Sequence, residues 1–168
     1  MTNTETATEL RAERSRLSNP MQLVPEMGPV AGALYKLAAN GLVPQATISL
    51  VQLRAGQIVG NTYLTVLHTT DLRKMGESEE RITGVGTWWD APYFTAAERA
   101  ALALVEAVLQ PSPGRERVSE ELFAEVSKHY DQKELATLAL LIGQVNFFIP
   151  LAVIGRPLPG KSPVEQWT

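Results

Sequence analysis

The chain has 168 residues, of which 45% are hydrophobic and 20% charged, enough for one domain with a real core. A net charge of -3, a pI near 5.5 and no basic cluster beyond Arg73-Lys74 argue against a nucleic-acid partner, since phosphate binding needs concentrated Lys and Arg. With no cysteine the chain has no disulfide, cysteine-zinc or iron-sulfur chemistry, and its two histidines, His68 and His129, are too far apart in sequence to chelate, so no metal or cofactor is expected.

The N-terminal run MTNTETATELRAERSRLS is polar and lacks the apolar core of a secretory signal. It is expected to be a flexible or docking arm over residues 1–18. The helical domain is expected over 19–157, entered through an extended Asn19 to Met27 segment marked by Pro20 and Pro25. Pro29 suits a first helical turn, Val30, Leu34, Leu37 and Ala38 recur at helical spacing, and Asn40-Gly41 ends that helix.

The stretch Ala46 to Gly76 follows, and it puts several polar groups on an apolar helix. Read as one helix, it projects Gln57, Asn61, Leu64, Thr65 and His68 from one side, while Val51, Leu53, Ile58, Leu67 and Leu72 spread over the rest. Such a helix belongs in an interior, where buried polar groups need a partner or a ligand. Arg73, Lys74 and Gly76 form its stop.

Ser78 caps the next helix, which is expected to run through Ile82 and Val85 to about Trp88, with Gly84 and Gly86 admitting a close backbone or ligand. The connector Trp89 to Phe94 is unusually aromatic. Thr95 to Glu98 is a capping box, and Ala100, Leu104, Ala107 and Val108 give the following helix its apolar face. Gln110 to Arg117 reads as a loop, Ser119 caps a short helix carrying Leu122, Val126 and Tyr130, and Asp131 with Glu134 repeats the capping box. The last long helix, QKELATLALLIGQVNFFIPLAVIG, is apolar nearly all round and so is expected in the centre or between subunits, with a bend at Pro150. Its apolar run is interrupted by Gln144, Asn146 and Pro150, which argues against a membrane span. Residues 158–168 read as an extended, proline-rich tail, and the whole as a cytoplasmic protein.

The run LRAGQIVGNTYLTVLHTTDLRKMGESEERI resembles the core of the carboxymuconolactone decarboxylase superfamily, in its alkyl hydroperoxidase D-like branch, where the wording is close to LR-SQ-NGC-YC---HT-DAR--GE. The segment WWDAPYFTAAERAALALVEAV resembles the W-APFFTERERAALAL stretch of the same family, and the likeness covers most of Leu42 to Arg156. It implies an all-α single domain, with a long antiparallel helix pair around a small pocket, and a homo-oligomer (dimer, trimer or hexamer). About six helices are expected. In this alignment the paired cysteines of the family fall on Asn61 and Leu64 and its upstream glutamate on Ser49, while its histidine is retained as His68. A thiol peroxidase needs one thiolate to attack and a second thiol to resolve the sulfenic acid, so this chain supplies no such activity.

His68 is the candidate catalytic residue, because an imidazole titrates near neutrality and serves as general acid or base. In the decarboxylases proper the comparable histidine works in proton transfer on a small lactone acid, so the resemblance implies a small carboxylate or lactone as substrate. The opposing reading of His68 is a core hydrogen bond, with Asp71 one turn on as its partner. Gln57, Asn61, Thr65, Trp88 and Asn146 are the candidate ligand-binding residues; each has a structural alternative, a helix–helix bond for Asn61 and a core lid for the aromatic loop. Tyr63 and Thr65 could border a pocket. Two functions of different class follow: acid–base catalysis of the lyase type by His68, or a catalytically silent ligand-binding or scaffold protein.

Overall fold

The computed structural model describes residues 14–110 and 116–167. Among them there are nine α-helices and no strand: α1 (Pro20–Leu23), α2 (Met27–Ala38), α3 (Gln45–Ile58), α4 (Thr62–Lys74), α5 (Glu79–Gly84), α6 (Ala96–Leu109), α7 (Glu120–Val126), α8 (Gln132–Gly155) and α9 (Pro163–Trp167), with a 3-10 turn at Val85–Thr87. The fold is all-helical, as expected.

The stretch expected as one helix is two. Gly60 takes the left-handed conformation at φ +64, and Asn61 is extended, its side-chain oxygen accepting from Leu64 N–H at 3.0 Å to cap α4. The chain folds back as a helical hairpin, closed by a bond from Asn61 N–H to the Gly56 carbonyl at 3.0 Å. Gly56 is where the two helices touch: a Cβ there would lie 3.0 Å from Thr65 N and 3.1 Å from Leu64 Cβ, so a side chain would push the helices apart by a few tenths of an ångström.

α3 is the centre of the molecule, in contact with α4, α6, α8 and the 3-10 turn. It is buried on almost every side because it separates two cores. Ile48, Val51 and Ala55 join Ala101, Val105, Leu138, Leu141 and Val145 from α6 and α8, while Leu50 and Leu53 join Leu72, Ile82, Val85 and Leu102. Each fully buried leucine stabilises the fold by about 2 kcal/mol. A third, smaller cluster of Tyr63, Leu64 and Ala152 ties α4 to α8.

Caps end the helices where the sequence places them. Thr95 with Glu98 and Asp131 with Glu134 form complete capping boxes, and Ser78 and Ser119 cap α5 and α7. α5 stops at Gly84, which faces the side chains of Ala91, Tyr93 and Phe94 at ordinary contact distance, so side chains fill the space expected to admit a close backbone or ligand. α8 runs through Pro150 and ends at Arg156, whose φ is 45. It is long and apolar enough to cross a bilayer, yet Leu138, Leu141, Ile142 and Val145 are packed into the domain core.

Both ends depart from the extended reading. Asn19 caps α1 with Pro20 in its first turn, and Ser162 with Glu165 caps α9. Of the N-terminal arm, residues 1–13 lie outside the described residues. Ser15 Oγ and Arg16 N–H both donate to the Gly155 carbonyl, at 3.0 and 2.7 Å, so these two residues are tied to the end of α8. The expected loop from Gln110 to Arg117 falls largely outside the described residues.

Candidate functional site

A cavity of about 510 Å³ lies between α3, α4 and α8, covered by α1, α2 and the C-terminal segment. Each helix offers it one face. From α3 come Gln45, Ser49 and Gln52, at i, i+4 and i+7. From α4 come Leu64, Leu67, His68 and Asp71, at i, i+3, i+4 and i+7, a face fixed by the Asn61 cap that sets where the helix begins. α8 adds Gln144, Phe148, Leu151 and Ala152. Met21, Met27, Tyr35, Pro157 and Pro163 form the cover. The size suits a small organic molecule, and the lining is mostly apolar.

His68 is 8% exposed and lines this cavity. Its Nδ1 is buried with no hydrogen-bond partner; Asp71 Oδ2 is 3.6 Å away, an ion-pair separation too long for a hydrogen bond. The anticipated core bond to Asp71 is therefore not made. Gln144 Oε1 is likewise buried without a partner, and the buried Tyr63 hydroxyl has only the Gln166 amide beside it. Burial above all, with Tyr35 and Asp71 nearby, pushes Tyr63 up to about 12, and the neighbouring Gln166 amide offsets only part of that. That amide is itself engaged, accepting from Leu158 N–H at 2.6 Å and donating to the Lys161 carbonyl at 3.2 Å.

Of the six candidate catalytic and ligand-binding residues, only His68 lies on the cavity wall, and of the two further residues read as pocket borders, Tyr63 lines it and Thr65 does not. Asn61 caps α4, and the Thr65 hydroxyl donates back to the Asn61 carbonyl at 2.9 Å on the side of α4 that meets Gly56. Gln57 accepts from Arg54 at 3.3 Å and faces Gly86. Trp88 donates to Glu106 at 2.8 Å. Its loop closes over the second core, with Ala91 and Phe94 buried, and Arg99 holds the carbonyls of Trp88, Trp89 and Ala91. Asn146 is exposed, because two residues along a helix is more than half a turn from Gln144. Gln144 was legible only as a polar interruption of an apolar helix. Asn61→Ala is expected to cost about 1 kcal/mol through the lost cap and to leave ligand affinity at the cavity unchanged, which melting and titration of the same sample would check.

The positions that the resemblance assigns to the family's glutamate and second cysteine, Ser49 and Leu64, also line the cavity. Among the described residues no group of three or more His, Asp or Glu could hold a metal.

Comparison with known proteins agrees with this geometry. The pattern of the Carboxymuconolactone decarboxylase family matches residues 27–107. The uncharacterized protein YdfG of Bacillus subtilis (strain 168) is 33% identical over 126 residues, 74% of this chain and 84% of YdfG. Among solved structures, the Agrobacterium tumefaciens protein ATU0492, of unknown function and ascribed to the antioxidant defence protein AhpD, superposes with a TM-score of 0.78 at 26% identity, over 89% of this chain and 100% of that one. The debrominase Bmp8 shares the fold at 19% identity, with a TM-score of 0.73 over 86% of this chain and 76% of its own. The hairpin, the long α8 and the cavity between them thus define an alkyl hydroperoxidase D-like helical domain. The chain belongs to the carboxymuconolactone decarboxylase family, in its alkyl hydroperoxidase D-like branch, and lacks that branch's cysteines.

Proposed function

We propose that the protein binds a small, largely apolar organic molecule in this cavity and that His68 moves a proton on it, a lyase-type reaction on a carboxylate or lactone that uses no thiol. One observation supports this reading above the others: the imidazole borders open space of ligand size instead of a dry, packed interior. Nδ1 lies on the Asp71 side, which leaves Nε2 as the nitrogen to take a proton from the ligand or return it. Tyr63, neutral at physiological pH, can donate to an oxygen on which charge develops. The test is a screen of lactones and organic acids for binding, followed by assay of each binder for proton exchange with solvent deuterium. Exchange that depends on His68 supports the reading, and binders that never exchange would leave a ligand-binding protein. The replacement of two reactive family positions by Ser49 and Leu64 is what favours that second reading.

We also propose a homo-oligomer that uses the outer face of α8. Leu140, Phe147 and Ile154 are exposed at a seven-residue spacing, with Leu140 57% and Ile154 62% exposed, and such a stripe on one face suits another helix. Light scattering on wild type and on Leu140→Glu/Ile154→Glu should show an oligomer reduced to monomers. A monomeric wild type at tens of micromolar would refute it.

A further inference from the structure

His68 and Asp71 are three residues apart on α4, a spacing that puts them on one helix face, and both line the cavity. Asp71 Oδ2 is 3.6 Å from His68 Nδ1, and that nitrogen is shut off from solvent with no hydrogen-bond partner. The cations next along the chain are turned elsewhere. Arg73 gives Nε and Nη2 to Glu79, at 2.6 and 2.9 Å, and the exposed Lys74 acts on Glu165. The imidazole is the basic group that Asp71 faces.

The other titratable groups lining the cavity are the Tyr35 phenol from α2 and, from α4, the Tyr63 phenol and the Lys74 ammonium. The polar lining residues of α3 and α8 are all neutral. Asp71 is therefore the one anion among the described lining residues. A neutral imidazole carries its single proton on either nitrogen, and its neighbours decide which. With the proton on Nε2, the Nδ1 lone pair would point at a carboxylate, acceptor against acceptor. With the proton on Nδ1, the positive end of an N–H dipole points there instead. At 3.6 Å the pair is outside hydrogen-bond range, yet the electrostatic preference persists, because charge interactions fade slowly with distance and solvent does not reach Nδ1.

We infer that Asp71 is a positioning residue for His68. Its carboxylate holds the neutral ring in the Nδ1–H tautomer, leaves Nε2 with the lone pair a general base needs, and steadies the imidazolium formed when Nε2 takes a proton. The inference rests on the reading of His68 as the group that moves a proton, and adds the partner that makes it a base.

The test reads the ring itself. In the full chain labelled with ¹⁵N-histidine, long-range ¹H–¹⁵N correlation spectra tell a protonated ring nitrogen from a bare one and follow the same ring through a pH titration. The wild type is expected to carry the proton of its neutral His68 ring on Nδ1. Asp71→Ala should move it to Nε2, the form a free histidine side chain prefers. It should also lower the pH of half-protonation by about one unit, because the anion that favoured the charged ring is gone. Asp71→Asn is isosteric and uncharged, should lower that midpoint by a similar amount, and serves if the alanine variant does not fold. Asp71→Glu should hold the midpoint near the wild-type value. A wild-type ring protonated on Nε2, or a tautomer and midpoint that Asp71→Ala leaves in place, overturns the inference. The functional reading fails separately: the expected tautomer in a protein whose binders never exchange deuterium supports the hold of Asp71 on the ring and removes the proton transfer.

Discussion

His68→Gln is expected to lower turnover of any cavity substrate by about 10²–10⁴-fold, the usual contribution of a positioned general acid–base, while ligand affinity changes only a few-fold. Stability should fall by about 1 kcal/mol or less, since the ring makes no side-chain hydrogen bond and one side of it borders the cavity. Glutamine keeps size and polarity but cannot titrate between pH 5 and 8. The split between rate and stability is the informative quantity. Turnover that persists in the variant would remove His68 from the chemistry, and a large loss of melting temperature with unchanged binding would make it a packing residue. Rates on a compound found by the binding screen, with a melt of the same samples, would measure both.

The largest expected stability loss lies elsewhere, at Arg54. Its Nε and Nη2 both reach Glu106 Oε1 at 2.6 Å, Nη1 donates to Gln57, and the guanidinium stacks 5.8 Å from the Trp89 ring. Trp88 donates to the same carboxylate oxygen. The pair therefore joins α3 to α6 and to the aromatic loop, largely out of water, with side-chain exposures of 11% and 18%. Arg54→Met leaves Glu106 charged and mostly buried without its cation, which should cost about 3 kcal/mol and lower the melting temperature by about 6–12 °C. Arg54→Met/Glu106→Leu removes the stranded charge as well, and should recover a substantial part of the loss. If the single substitution melts within a degree of wild type, the pair does not hold the loop.

Much of the architecture is written locally in the sequence. The Thr95–Glu98 and Asp131–Glu134 boxes place the starts of α6 and α8. What is not local was misread. Gly60-Asn61 is a turn signal embedded in continuous apolar periodicity, and taking the periodicity alone joins α3 to α4. That join is why Gln57, Asn61 and Thr65 appeared to share a face with His68. Once Gly60 turns the chain, Asn61 is a cap, Thr65 faces α3, and Gln57 faces Arg54. Asn19-Pro20 and Ser162-Pro163 are caps followed by a first-turn proline, and the proline content of each segment hid them in an extended reading. Of the site, His68 was legible through the family wording. Tyr63 was legible as a pocket border, whereas Gln144 depends on which faces α4 and α8 turn towards each other, a tertiary fact that one helix's spacing does not encode.

The central claim is that a small molecule occupies the space beside His68. The chain has only two histidines, so imidazole ¹⁵N–¹H spectra resolve both, and His129, paired at 3.3 Å with Glu125 on α7, serves as an internal control. Titration with a compound found by the binding screen should move the His68 ring resonances in a saturable way and leave those of His129 in place. A titration that binds by calorimetry while the His68 signals stay fixed would put the ligand somewhere other than this cavity and contradict the account.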